Sequence, residues 1–155
     1  MHRSPHATLG YYRNEEKTAE AFRNGWFHSG DLGYVDEDGR LYVVDRKKDM
    51  IKTGGENVAS REVEEMIYRL PQVSEVAVVG VPHPRWVEAV VAVVVPKPGQ
   101  DLSEAQVLAH CQQHLAGFKA PKAVVFAASL PKNPSGKLLK RELRQQHQAR
   151  FSGAA

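Results

Sequence analysis

The chain has 155 residues, of which 42% are hydrophobic and 25% charged, and its formal net charge is +3. That composition suits an ordinary globular protein with a real core, and the bulk charge is too small to argue for nucleic acid. Cys111 is the one cysteine, which rules out a disulfide framework within the chain and fits a reducing cytosol.

Met1 to Leu9 carries no pattern, lacks the shape of a signal peptide and is expected to fray. Asn14 to Phe22 reads as a short helix, with Asn14 as N-cap and Glu15 and Glu16 in the first turn. Gly25 to Asp31 combines two aromatics, two glycines and an acid, which suits a loop near a ligand. Tyr34-Val35 and Leu41 to Val44 read as strands around the turn Asp36-Glu37-Asp38-Gly39. Asp45 to Lys48 is a charged break. Met50 to Lys52 suits another short strand, and Thr53 to Asn57 a tight turn that uses the dihedral freedom of glycine.

Ser60 is expected to open a helix with Val63, Ile67 and Leu70 on its apolar stripe, stopped by Pro71. Val63 stands where a capping box needs an acid or amide. Val73 to Val81 and Glu88 to Pro96 are valine-rich runs that read as buried strands, turning through Pro82-His83-Pro84. The run Ala89 to Val95 is too short for a bilayer span, which needs about 20 residues. Ser103 caps a helix with Val107, Leu108, Cys111 and Leu115 on one face, ended by Gly117. Val124 to Phe126 is a short strand. Leu130 to Lys137 is a loop, and Leu138 to Gln148 a terminal helix with a basic exposed side. This order gives an α+β fold, a small β-sheet flanked by helices and preceded by a β-hairpin. The boundary is expected near Asp45 to Lys48.

Two segments carry candidate chemistry. In Pro131-Lys132-Asn133-Pro134-Ser135-Gly136-Lys137, prolines and glycine make an extended loop offering Lys137 at its tip to a phosphate. The spacing is not that of a P-loop. The second runs from Asp45-Arg46-Lys47-Lys48-Asp49 to Thr53-Gly54-Gly55-Glu56-Asn57-Val58. There a basic cluster leads into a glycine turn; Arg46 can fork onto ribose or phosphate oxygens, and the turn leaves backbone bare to a ligand. His110 and His114 have the i, i+4 spacing of a zinc pair, but no Glu follows His110, and solvated histidines are the expected reading. No metal site is expected. The basic terminal helix could touch nucleic acid, yet no aromatic platform or groove-reading motif accompanies it.

Ser29-Gly30-Asp31-Leu32-Gly33, the Asp45-to-Val58 segment and Pro131-to-Lys137 together resemble the last three sequence blocks of the adenylate-forming superfamily, in family order. The Lys at position 48 and the Gly-Gly-Glu-Asn run are similar to its acyl-CoA synthetase branch. The resemblance implies the tail of a large AMP-binding domain at 1–45, a hinge at 46–49, a C-terminal domain at 50–150 and a disordered tail at 151–155. It implies that Asp31 accepts hydrogen bonds from the nucleotide ribose, that Arg46 contacts ribose and phosphate, and that Lys48 is the pivot. Lys137 would bridge the acyl carboxylate and the α-phosphate. Lys52 and Asn57 would reach the nucleotide in a second domain orientation, and Gly54 and Gly55 would line the pantetheine channel. The basic terminal helix could help hold the 3′-phosphate-ADP end of CoA.

The complete enzyme would use a carboxylic acid, ATP, Mg2+ and CoA in the cytoplasm. The family's phosphate loop and its Tyr-Gly-x-Thr-Glu block do not occur among these residues, so the chain is expected to be inactive alone and to hold none of these groups tightly. Two alternatives stay open within this reading: a non-catalytic CoA- or partner-binding module, and part of an adenylation domain acting on another acid.

Overall fold

The computed structural model describes residues 1–152. The chain divides into two compact units, residues 1–48 and the residues from Asp49 onward. The expected tail at 151–155 falls largely outside the described residues; Phe151, which is described, packs beside the ring of His83 at 5.0 Å.

The first unit contains α1 (Glu15–Ala21), a 3-10 turn (Arg23–Gly25), β1 (Asp31–Val35) and β2 (Leu41–Arg46). Asn14 caps α1 by accepting from the Lys17 amide at 2.9 Å. The opening residues pair rather than fray: His2 and Phe27 exchange backbone hydrogen bonds of 2.9 and 3.0 Å. β1 and β2 form an antiparallel ladder with Asp31 opposite Arg46 and a bulge between Leu32 and Gly33. Both strands run further than the alternation suggested, so Asp45 and Arg46 belong to β2 rather than to a break. Polar residues at a ladder's end still have backbone amides to pair, and the strand continues for that reason.

The second unit holds β3 (Ile51–Thr53), β4 (Glu56–Val58), α2 (Ser60–Ile67), β5 (Val73–His83), β6 (Val87–Pro96), α3 (Glu104–His114), β7 (Ala123–Phe126) and α4 (Lys140–His147). The sheet runs β4-β3-β6-β5, with β7 joined in parallel to β6. Val76, Val78, Val90, Ala92 and Val94 point to one face, where Val63 and Ile67 of α2 and Val107 and Cys111 of α3 meet them. Ala77, Val79, Val81, Ala89, Val91 and Val93 point to the other face, toward Leu143 of α4. Covering both faces explains why the two strands read as unbroken valine runs instead of alternating.

β5 is an edge strand, and α2 closes that edge. The amides of Val76 and Val78 donate to Tyr68 Oη (3.3 Å) and Glu64 Oε1 (2.7 Å). Residues four apart on a helix thus meet residues two apart on a strand, which blunts an edge that would otherwise template pairing.

Several boundaries differ from the sequence expectation. The turn between the long strands is Pro84-Arg85-Trp86, and Pro82 and His83 stay in β5, paired with Glu88 and Val87. Ala59, not Ser60, is the N-cap of α2, and no side chain caps it. α3 has a full capping box between Ser103 and Gln106, and it ends at Leu115 in extended geometry before reaching Gly117. The exposed side of α4 is less basic than expected, because Lys140 and Arg144 turn inward to acids.

Candidate functional site

Within the first unit, β1 and the residues after β2 edge a cleft of about 640 Å³ lined by Lys17, Arg23, Ser29, Asp31, Lys47 and Lys48, among others. Asp31 enters the rim through a tight approach. Gly30 takes a left-handed φ of +79°, and the Asp31 amide donates to Ser29 Oγ at 3.2 Å. Direct opposition across the ladder then brings Arg46 beside it, with Arg46 Nε 3.5 Å from Asp31 Oδ1. Asp45, buried at 8% exposure, accepts the Arg46 amide at 2.7 Å and fixes the backbone there. Gly33 is required sterically: a Cβ on it would lie 2.4 Å from the Tyr42 carbonyl oxygen. The Lys47 amide donates to the Gly30 carbonyl at 2.8 Å and extends the ladder toward Lys48, the last residue of this unit.

In the second unit, Lys52 and Asn57 are direct partners across the β3–β4 hairpin, and Thr53 faces Glu56. Gly54 (φ +58°) and Gly55 (φ +88°) are both left-handed, as a two-residue primed hairpin turn demands. An added Cβ at Gly55 would meet nothing within 4 Å, so its requirement is conformational. The turn is docked by the Gly54 amide on the Trp86 carbonyl (2.9 Å), and Glu88 Oε2 accepts the Lys52 amide at 2.7 Å. Gly80 leaves room for that carboxylate, since a Cβ there would come within 2.9 Å of it.

Sequence reasoning missed the groove beside this turn. It has a volume of about 270 Å³ and is lined by Gly54, Trp86, Phe118 and Lys122, with Glu56 at its side. Lys122 Nζ stands 5.2 Å from the centre of the Trp86 ring. The available signal was a tryptophan inside a three-residue turn, where a small polar residue is usual.

Lys137 lies one residue past the tip of its loop, not at it. The tip is the Asn133-Pro134-Ser135-Gly136 turn, with Gly136 at φ +79° and its amide on the Asn133 carbonyl (2.9 Å). Asn133 Oδ1 accepts the Lys137 amide at 2.8 Å, and the Lys137 carbonyl accepts the Asn133 amide at 2.9 Å. The loop is therefore a closed hairpin and not an extended arm, with Lys137 on its return leg.

His110 and His114 lie with ring centres 4.6 Å apart, but one nitrogen of each ring sits on a backbone carbonyl, of Met66 and of His110 respectively. Among the described residues no group of three or more His, Cys, Asp or Glu converges as a metal site. No helix among them is long and apolar enough to cross a membrane. Burial pushes the Cys111 thiol from 9.0 up to about 11 and makes it a core residue.

Residues 62–137 match the family model for the AMP-binding enzyme C-terminal domain. The chain is similar to the long-chain-fatty-acid–CoA ligase FadD13 of Mycobacterium tuberculosis, 48% identical over 90% of this chain and 27% of that protein. It is likewise similar to the feruloyl-CoA synthase of Amycolatopsis, 50% identical over 91% of this chain and 29% of the relative. Among solved structures, ATP-bound MatB from Rhodopseudomonas palustris superposes with a TM-score of 0.85 at 44% identity, over 92% of this chain and 29% of that one. The chain thus spans less than a third of the length of these relatives. It carries the AMP-binding enzyme C-terminal domain of the adenylate-forming superfamily, in the form found in acyl-CoA ligases.

Proposed function

We propose that this chain is the C-terminal part of an ATP-dependent acyl-CoA synthetase. A carboxylate attacks the α-phosphate of ATP, giving acyl-AMP and pyrophosphate; the CoA thiol then displaces AMP to give the thioester. The observation that carries the reading is the Asp31–Arg46 pair, a carboxylate and a guanidinium set opposite each other at one rim. A carboxylate there suits paired ribose hydroxyls, and a guanidinium beside it suits ribose and phosphate oxygens.

Lys137 is assigned to the first half-reaction. Negative charge builds on the phosphoryl oxygens as the carboxylate attacks, and an ammonium held there stabilises it. The closed hairpin under Lys137 supports this role, because it fixes the backbone from which the ammonium reaches. Lys48 is assigned as the pivot about which the second unit turns. Lys52 and Asn57 are assigned to the nucleotide in the thioester-forming orientation, and Gly54 and Gly55 to the pantetheine channel. Bare backbone at both glycines suits a narrow passage for an extended thiol arm. Magnesium neutralises phosphate charge when bound. The described residues offer no converging donor set for it, and no step here passes through the ion.

The substrate acid is a carboxylate whose pocket belongs to the larger part of such an enzyme. A cytosolic setting agrees with the lone thiol of Cys111, buried and reduced.

The test is Lys137→Ala in the full-length protein, with the two half-reactions measured separately. Acyl-AMP formation should fall by a factor of 100 or more, on the order of the loss of one oxyanion-stabilising donor. Thioester formation from supplied acyl-AMP should change by less than about threefold. Wild-type levels of acyl-AMP formation in that variant would refute the assignment.

A further inference from the structure

We propose that Lys140 and Glu64 are positioning residues that hold the Lys137 loop in register; this rests on the reading that Lys137 serves acyl-AMP formation. Lys140 Nζ lies 2.7 Å from Glu64 Oε1 and donates to Ser60 Oγ at 2.6 Å. The two side chains are only 13% and 15% exposed, and Ser60 is fully buried. Ion pairs such as Arg61–Glu65 (58% and 62% exposed) and Arg40–Asp38 (67% and 66%) lie in water and contribute little. The same Glu64 oxygen accepts the Val78 amide of the sheet edge at 2.7 Å. The first residue of α4 is thereby tied through one carboxylate to the edge of the sheet.

The placement of that lysine runs against local preference. It opens α4, where the helix dipole disfavours a cation. A sequence that breaks a local rule at a buried contact is one in which the contact matters more than the helix. Docking of α4 has other anchors: Leu143 is buried in the core, and Arg144 lies 2.7 Å from Asp49. What Lys140 adds is at the chain's exit from the loop, three residues after Lys137. Between them the Leu139 amide donates to the Pro131 carbonyl at 2.8 Å, closing the loop's base. On the incoming leg Lys132 reaches Glu75 of β5 at 2.6 Å. Both legs are thus fastened to acids, and the outgoing leg has the drier fastening.

The experiment uses the full-length protein and four variants: Lys140→Met, Lys140→Arg, Glu64→Gln, and Arg141→Met as an exposed neighbour outside the network. Acyl-AMP formation is expected to fall about ten- to a hundredfold in Lys140→Met and Glu64→Gln, the range for a small misplacement of a catalytic group. Thioester formation from supplied acyl-AMP should stay within about twofold, which also reports that the variants are folded. Lys140→Arg should recover most of the first rate, and Arg141→Met should match wild type in acyl-AMP formation, the half-reaction that does not involve CoA. Hydrogen exchange at the Lys137 and Leu139 amides should quicken in Lys140→Met. Unchanged acyl-AMP formation in Lys140→Met, beside its loss in Lys137→Ala, overturns the positioning role and leaves the functional reading intact. Equal loss of both half-reactions overturns it too, in favour of a general structural role. Full activity of Lys137→Ala defeats the functional reading and this inference with it.

Discussion

Two β-hairpins of this chain, β1–β2 and β5–β6, are made of similar residues and meet opposite fates. β5 and β6 are valine-rich, and Val78, Val79, Val90 and Val91 are all fully buried, with a core on each face. β1 and β2 also carry tyrosine, leucine and valine, yet Tyr34, Val35, Leu41, Tyr42 and Val43 remain exposed. Strand propensity is the same in both; what differs is whether helices cover the faces. The first hairpin can present a rim of charged residues but has no core of its own, whereas the second unit can fold around its sheet. Under the proposed function this is the difference between the edge of a larger domain and a self-contained module that moves as a body.

The largest effect should separate the two. Val91→Asp places an unpaired charge in the core and should cost more than about 4 kcal/mol, while Val43→Asp on the open hairpin should stay within about 0.5 kcal/mol. Trp26 and Trp86 are the two tryptophans, one in each unit, so urea unfolding of single-tryptophan variants reads each unit separately. Equal effects would erase the distinction.

Next come the glycines. Gly33→Ala drives a Cβ onto the Tyr42 carbonyl and should cost about 1–3 kcal/mol in the first unit, with amide protection of the β1–β2 ladder lost. Gly55→Ala has open space and should cost only about 1 kcal/mol, for its left-handed backbone. The opposite sign is expected at Val87, a branched residue at φ +69° that is 71% exposed. Val87→Gly relieves that strain and should stabilise the second unit by about 0.5–1 kcal/mol in the same denaturation.

The last effect is alkaline. With its thiol at about 11 in the folded chain and near 9.0 unfolded, Cys111 is neutral in both states well below pH 9. As pH rises from 9 to 11 the unfolded chain loses this proton first, so the stability contribution falls through that window. Cys111→Ala should lack that component, amounting to about 1–2 kcal/mol of pH dependence in paired titrations of unfolding.

The valine runs, the helical stripes and the turns at Asp36 to Gly39 and Thr53 to Asn57 were legible because period and punctuation survive in one sequence. Asp31, Lys52 and Asn57 entered as candidates through the family resemblance, and Arg46 through its basic cluster as well, none of them as a directly facing partner. Which residues face each other is set by the Leu32/Gly33 bulge and by ladder register, and neither is written in local propensity. The inward turn of Lys140 was hidden for the same reason: a lysine on a basic helix looks solvated until its partner, 76 positions earlier at Glu64, is brought beside it. The groove at Trp86 and Phe118 draws on residues far apart in the chain and left only an odd turn residue as its trace.

One measurement bears most directly on a module that serves two reactions with two lysines. Single-turnover rates of acyl-AMP formation, and of thioester formation from supplied acyl-AMP, should be taken for Lys137→Ala and Lys52→Ala side by side. A crossed pattern is expected, with Lys137→Ala losing the first reaction and Lys52→Ala the second. Parallel losses in both reactions for both variants would contradict it.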